Sequence, residues 1–224
     1  MAGPPPRGPF LPRVGQLARE RAGPQKLIAF FVGRCLEWPP LTAFRTGNRS
    51  EDVAPDMRPA VTLRTATLAD VAILRWWDEQ PHVIESDPND EWNWEVELGR
   101  SVDWREQLMP EVDGRPIGFV QIIDPAREES HYWGEAPDNL RAIDIWIGEA
   151  ADLGRGFGTQ VMRQALARCF ADARVTAVLV DPLASNVRSH RFYERQGFRF
   201  LDRRRFGADD CFVYSLSRED WKHA

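Results

Sequence analysis

Between a nearly unbroken apolar run, "RAIDIWIGE" (141–149), and a segment of helical periodicity stands "LGRGFGT" (153–159), with glycine at 154, 156 and 158. Glycine within a helix costs about 1 kcal/mol relative to alanine, so three of them at a helix start need a reason. After them Phe157, Val161, Met162, Ala165, Leu166, Cys169 and Phe170 recur at spacings that predict a helix with one broad buried face. Strand, glycine turn and helix in that order gather unpaired backbone N–H groups and the positive end of a helix dipole at one spot, an anion site. Without Cβ atoms the backbone approaches phosphate oxygens closely. The implied ligand carries a phosphate, and a pyrophosphate suits the site; a flexible loop that needs tight turns is the plainer alternative. No G-K-[ST] follows, so this is not a P-loop. Alternating glycines this late in the chain do not make a dinucleotide fingerprint either.

The rest of the chain predicts a mixed sheet flanked by helices. "AVTLR" (60–64) alternates as a strand, and Thr67 caps a helix running to about residue 79, with Asp70 completing a near capping box. "PHVIESDPND" reads as loop, and "EWNWEVELGRS" as a short helix ending at Gly99. "REQLMPEV" and "RPIGFVQIID" flank Asp113-Gly114, a hairpin signal because both turn positions take positive φ. "RAIDIWIGE" is a buried central strand, "VTAVLV" (175–180) another. "NVRSHRFYERQ" is a helix closed by Gly197. "FRFLDRRRF" and "CFVYSLS" are two last strands around "GADD". The fold class is α/β (α+β), with a mostly antiparallel central sheet, in one domain spanning 57–224.

Residues 1–56 differ: they hold nine of the 17 prolines and eight basic against five acidic residues. Proline-rich sequence with little periodicity seldom builds a core, so this stretch reads as a disordered extension or an over-long start. Its apolar run "LIAFFVG" is too short for a membrane span of about 20 residues and lacks a signal cleavage pattern. Setting the extension aside leaves 21 basic and 29 acidic residues, a net charge of −8. An acidic domain binds nucleic acid poorly and suits a cationic small molecule. Three widely spaced cysteines without CxxC, and four histidines without a metal motif, predict a reducing, cytoplasmic setting and no metal.

"NVRSHRFYERQGF" places Asn186, Ser189 and Tyr193 on one helix face. R-G-x-G-T opening a helix, then N-x-x-S-x-x-x-Y-x-x-x-G-F, resembles the GNAT superfamily of acyl-CoA-dependent N-acyltransferases, over residues of about 61–216. The resemblance implies acetyl-CoA as cosubstrate, with Gly154, Arg155, Gly156, Phe157, Gly158 and Thr159 cradling the pyrophosphate. It also implies that Asn186 and Ser189 lie along the pantetheine arm and that Tyr193 is the general acid beside the thioester sulfur. Backbone N–H groups of Trp146, Ile147 and Gly148 would stabilise the oxyanion. Leu153 departs from the Gln or Arg common at that position. "RAIDIW…LGRGFGT…VDPLASNVRSHRFYERQGF", with "GRPIGFVQIID" upstream, is further similar to aminoglycoside 6'-N-acetyltransferases of the plasmid-borne resistance type. On that likeness Asp144 accepts the amine proton and Asp181 meets a cationic sugar. The connection containing Trp133, Glu135 and Asp138 would touch the antibiotic.

Each of these residues has a plainer reading. Asp144 in an apolar strand is costly to bury unless paired or functional, and Arg141 is a candidate partner. Tyr193 is also a core aromatic, and Asp181 also a turn initiator before Pro182. Tyr132 and Trp133 stack on sugar or ammonium groups or simply pack, and Glu128, Glu129, Glu135 and Asp138 read as a solvated loop. Cys169 is core. The sequence therefore points to an acetyltransferase acting on a primary amine of a small cation, monomeric or homodimeric, with no nucleic-acid or membrane partner. Another amine (a polyamine, a siderophore precursor, a protein N-terminus or lysine) and a non-catalytic CoA-binding module remain as alternatives.

Overall fold

The computed structural model describes residues 59–89 and 92–222; the extension at 1–56 lies outside the described residues. Val61–Thr65 forms β1, and a 3-10 turn at Leu68–Asp70 leads into α1 (Val71–Asp78). The capping box is present: the Thr67 N–H donates to Asp70 Oδ2 at 2.8 Å. The stretch expected as loop holds a helix, α2 (Pro81–Ser86). Its proline sits in the first turn, where a missing N–H costs nothing. Then come α3 (Trp94–Gly99), β2 (Arg105–Val112), the two-residue β3 (Arg115–Pro116) and β4 (Gly118–Ile123). Asp113 and Gly114 both take positive φ, 50° and 75°, as the hairpin demanded. The chain continues through β5 (Leu140–Ile147), α4 (Phe157–Ala171), β6 (Ala177–Val180) and α5 (Val187–Arg195). It ends with β7 (Arg199–Phe206), β8 (Asp209–Ser217) and a short α6 (Arg218–Lys222), which periodicity had not marked.

The strands form one sheet in the order β1-β2-β4-β5-β6-β8-β7, with β3 paired to β2. Among them only β5 and β6 run parallel, and they pair over just three positions, Leu140 to Ala142 against Ala177 to Leu179. On its other side β5 stays paired with β4 from Ala142 to Ile147. From Ile143 onward, one edge of the central strand has no neighbouring strand among the described residues.

α4 covers one face of the sheet, and all seven of the apolar positions that define its stripe are buried. It is tied to the edge strand as well: the Val61 N–H donates to Gln160 Oε1 at 3.0 Å, and Gln164 Nε2 donates to the Val61 carbonyl at 2.8 Å. The Arg218 guanidinium donates to the Phe170 carbonyl at the far end of α4, where a cation also complements the dipole. On the opposite face two smaller apolar clusters lie apart. One gathers Trp133, Leu140, Ala142, Leu179 and Phe206; the other gathers Leu74, Trp77, Trp94, Met109 and Phe119. Strand alternation puts Ala142, Asp144 and Trp146 on this second face, so Asp144 stands at the seam between the clusters.

Gly148, just past β5, has no room for a side chain: a Cβ there would lie 2.1 Å from the ring of the fully buried Trp77. Gly148→Ala is expected to destabilise the fold by about 1–3 kcal/mol through this overlap. Denaturant unfolding of the two proteins, with unchanged slope and a lower midpoint for the variant, is the check; equal midpoints would contradict the packing described.

Candidate active site

Two of the three glycines are required by backbone geometry. Gly154 and Gly156 take φ of 73° and 84°, a region that side chains with a Cβ enter at a cost. Gly158 is helical, and a Cβ on it would meet the Phe192 ring only at 3.6 Å. Its lack of a side chain keeps the wall of a cleft open. Gly156 is the N-cap of α4 and supplies no capping side chain; the first helical bond is from the Gln160 N–H to the Gly156 carbonyl. The N–H groups of Phe157, Gly158 and Thr159 precede that first helical bond and have no partner within the helix. These donors border a cleft of about 720 Å3 lined by Leu153, Gly154, Gly156, Gly158, Thr159 and, opposite, by α5. That volume falls in the range of small-molecule sites.

The splayed edge of β5 forms another wall of this cleft through Ile145, Trp146 and Ile147. The Gly148 N–H donates to the Ile117 carbonyl at 3.0 Å. Ladder alternation then turns Trp146 and Asp144 toward β4 and leaves the backbone groups of Ile145 and Ile147 facing the gap. Of the three amides expected to serve an oxyanion, those of Trp146 and Gly148 are thus committed to the sheet, and Gly148 is a packing residue. The outward Ile147 carbonyl is met by His82 Nε2 at 2.9 Å, a contact from α2 with no signature in the sequence. Phe157 is buried core, and its own place in the site is through its amide. Arg155 is likewise turned from the cleft: it donates to Asp152 Oδ1 at 2.9 Å and lies over the Phe157 ring.

A smaller recess, about 90 Å3, adjoins the cleft. At a water's share of about 30 Å3 it takes a few heavy atoms. The two share Ser86, Ile145, Trp146, Asn186, Ser189 and Tyr193 as lining. Asn186 caps α5, its Oδ1 accepting the Ser189 N–H at 3.1 Å. Tyr193 is buried between the helix and the sheet, against Phe198 and Tyr214.

Four carboxylates line the recess: Asp87, Asp144, Asp181 and Asp209. Asp144 is half-buried, and Gln121 Nε2, directly across the strand pair, donates to its Oδ2 at 2.7 Å. The plain partner considered for it, Arg141, instead meets Asp124 and Asp172. Asp181 accepts the Tyr132 hydroxyl, and Tyr132 stacks on Phe206. Burial first, and then the Asp181 charge, push the Tyr132 phenol far above its ordinary pKa, so it remains a donor. Asp209 accepts from Asn89 Nδ2 at 2.6 Å. Trp92 and Trp146 supply an aromatic wall, and Cys211 lies at the floor.

The structure brings Asp144, Asp181, Asn186, Ser189 and Tyr193 together with the glycine loop. It does not bring Trp133, Glu135 or Asp138 to either cavity. Trp133 is 5% exposed and packs on Leu140 and Phe206, so the indole is core. Glu128, expected in a solvated loop, is buried and organises the connection by accepting the Ser130 and Tyr132 N–H groups. Asp209 and Gln121 escaped the sequence reading, and Tyr132 was read only as a stacking or packing ring, because strand register and loop closure alone set Gln121 on Asp144, Tyr132 on Asp181 and Asp209 in the recess. Cys169 is core as expected, burial pushing its thiol up to about 12.

The acetyltransferase (GNAT) domain model matches residues 66–206. The chain belongs to this family. It is an acyltransferase, and its acetyl donor is acetyl-CoA. An aminoglycoside N(6')-acetyltransferase type 1 from Klebsiella pneumoniae is 30% identical over 168 residues, 69% of this chain and 81% of that protein. The lysine N-acyltransferase MbtK of Mycobacterium tuberculosis is 26% identical over 161 residues, 66% of this chain and 72% of its own. Among solved structures, aminoglycoside acetyltransferase AAC(6')-Ib with coenzyme A and kanamycin superposes with a TM-score of 0.66 at 27% identity. That match covers 73% of this chain and 98% of that one. The mixed sheet with its flanking helices is thus the GNAT fold.

Asp152, at the entrance of the glycine loop, is 3% exposed and receives two hydrogen bonds from Arg115 and one from Arg155. The Arg115 hydrogen bonds hold its carboxyl below the ordinary 3.8, and the Arg155 charge adds to this. A depressed folded value means stability present above that ordinary value and lost as pH falls through the folded one. Asp152→Asn is expected to cost about 1 kcal/mol at pH 7, the exposed guanidinium ends being screened. The gap between the two proteins should narrow as pH falls below 3.8. Thermal melts across that range test it; a gap independent of pH would remove the ion pairs as its cause.

Proposed function

We propose that the chain transfers the acetyl group of acetyl-CoA to a primary amine of a polycationic small molecule, an aminoglycoside 6'-amino group being the best-supported acceptor. The observation that carries this is the meeting of two unlike cavities at Tyr193 and Ile145, one with free amides and cations, the other with four carboxylates. In this reading the pyrophosphate rests on the amides of Gly154 to Thr159, at the positive end of α4. The pantetheine arm extends along the open edge of β5, pairing with Ile147, while Asn186 and Ser189 flank it from α5. The acceptor enters the recess as an ammonium held by Asp181, Asp209 and Asp87.

Asp144, directly or through a water, removes a proton from that ammonium, because only the neutral amine has a lone pair for the thioester carbonyl. The new C–N bond forms as the carbonyl π electrons move to oxygen, and the outward Ile145 N–H at the junction of the cavities stabilises this oxyanion. Collapse of the intermediate breaks the C–S bond: Tyr193 delivers a proton to the departing thiolate, while the nitrogen releases its surplus proton to solvent, from which Tyr193 is reprotonated. The products are an acetamide and free CoA. The identity shared with the Klebsiella enzyme and the acidity of the recess both favour an aminoglycoside. The likeness to a lysine N-acyltransferase keeps a terminal lysine-type amine as the second candidate.

Asp144→Asn should lower turnover far more than it changes acetyl-CoA affinity, whereas equal losses would take the residue out of proton transfer. Tyr193→Phe should reduce turnover by up to about 100-fold if the hydroxyl is the acid, and an unchanged rate would make the tyrosine structural. Thiol release measured against kanamycin, spermidine and lysine identifies the acceptor. Tight acetyl-CoA binding with no turnover on any amine would mark a CoA-binding module instead.

A further inference from the structure

Nearly every arginine in the described domain is spoken for. Arg64, Arg75, Arg100, Arg105, Arg115, Arg127, Arg141, Arg155, Arg168, Arg174, Arg199, Arg203 and Arg204 each meet a carboxylate. Arg205 and Arg218 donate to backbone carbonyls. Among the described residues four arginines have no such partner: Arg163, Arg188, Arg191 and Arg195. Three of these four stand on α5, and all three line the large cleft. In a domain with a net charge of −8, three unpaired guanidinium groups on one helix flank form a cationic stripe that no internal contact explains.

The stripe is longer than a pyrophosphate requires. From Arg188 to Arg195 the helix rises about 10 Å, and all three residues are exposed, at the rim of the cleft. The amides of the glycine loop lie deeper, from the half-buried Gly156 to Thr159. Phe192, which shares the arginines' side of α5, faces Gly158, so the stripe runs alongside the loop. The cleft's own carboxylates are Glu85 and Asp152, and Asp152 is already held by Arg115 and Arg155. Coenzyme A carries a second anionic group beyond its pyrophosphate, the ribose 3'-phosphate, a monoester with a charge near −2 at neutral pH. Guanidinium forks match such a group with two parallel hydrogen bonds. We propose that Arg188, Arg191 and Arg195 form a recognition site for this 3'-phosphate, so that the enzyme distinguishes acetyl-CoA from its 3'-dephospho analogue. The inference rests on the assignment of the cleft to CoA.

Calorimetric titration of acetyl-CoA and of 3'-dephospho-acetyl-CoA separates the two. The wild-type protein should prefer acetyl-CoA by about 10- to 100-fold, the range expected of hydrogen bonds between charged groups. Arg188→Gln, Arg191→Gln and Arg195→Gln combined should weaken acetyl-CoA to the level of the analogue and leave the analogue nearly unchanged. Arg163→Gln, an equally exposed change away from the cleft, should alter neither, and melting temperatures report that all variants fold. A wild-type protein that binds both ligands equally, or a triple variant that loses affinity for both to the same extent, overturns the 3'-phosphate site while leaving the CoA cleft standing. Failure of the wild-type protein to bind either overturns the CoA assignment itself.

Discussion

Everything at the site follows from the short pairing of β5 with β6. After Ala142 the two strands separate while β5 stays bound to β4, leaving a row of backbone donors and acceptors at Ile145 and Ile147 facing a gap. Unsatisfied main-chain groups inside a protein are expensive unless a ligand or water meets them, so the parting has to be held open by its surroundings. α4 supplies that on one face with a continuous apolar stripe, and its fixed position sets the first-turn amides at the mouth of the same gap. His82 from α2 holds the last outward carbonyl.

Charge is then sorted across the opening. On the α5 side lie helix-terminal N–H groups and the arginines of that helix; on the far side lie Asp87, Asp144, Asp181 and Asp209. An anionic donor and a cationic acceptor are thereby drawn to opposite ends of one passage, and they meet where Tyr193 and Asp144 stand. Three carboxylates of the recess are also fixed by neutral donors, Tyr132 on Asp181, Gln121 on Asp144 and Asn89 on Asp209. Neutral partners orient a carboxylate without cancelling the charge that a cation would seek, which an arginine in any of these places would do.

The parts of this arrangement that were legible in the sequence are those carried by local pattern. Apolar periodicity gave α4 residue by residue, positive-φ demand located the Asp113-Gly114 turn, the clustering of glycines at a helix start marked the loop, and helical spacing put Asn186, Ser189 and Tyr193 on one face. The α2 helix was hidden because Pro81 and the polar residues after it resemble a turn, although proline is at home in the first position of a helix. The acceptor side was harder to read. Glu128 looks like an exposed loop residue and Trp133 allows either a ligand contact or packing, and the loop folds back and buries both. Gln121 and Asp209 gain their roles through strand register and loop closure, which one sequence does not display.

The central claim is that amides left open at the start of α4 grip the diphosphate of coenzyme A. Amide resonances recorded while the protein is titrated with the acetylated cofactor test it most directly. The account predicts that the signals of Gly154, Gly156, Gly158 and Thr159 move together and saturate with the binding isotherm. Saturation with those signals unmoved, and others displaced instead, would contradict it.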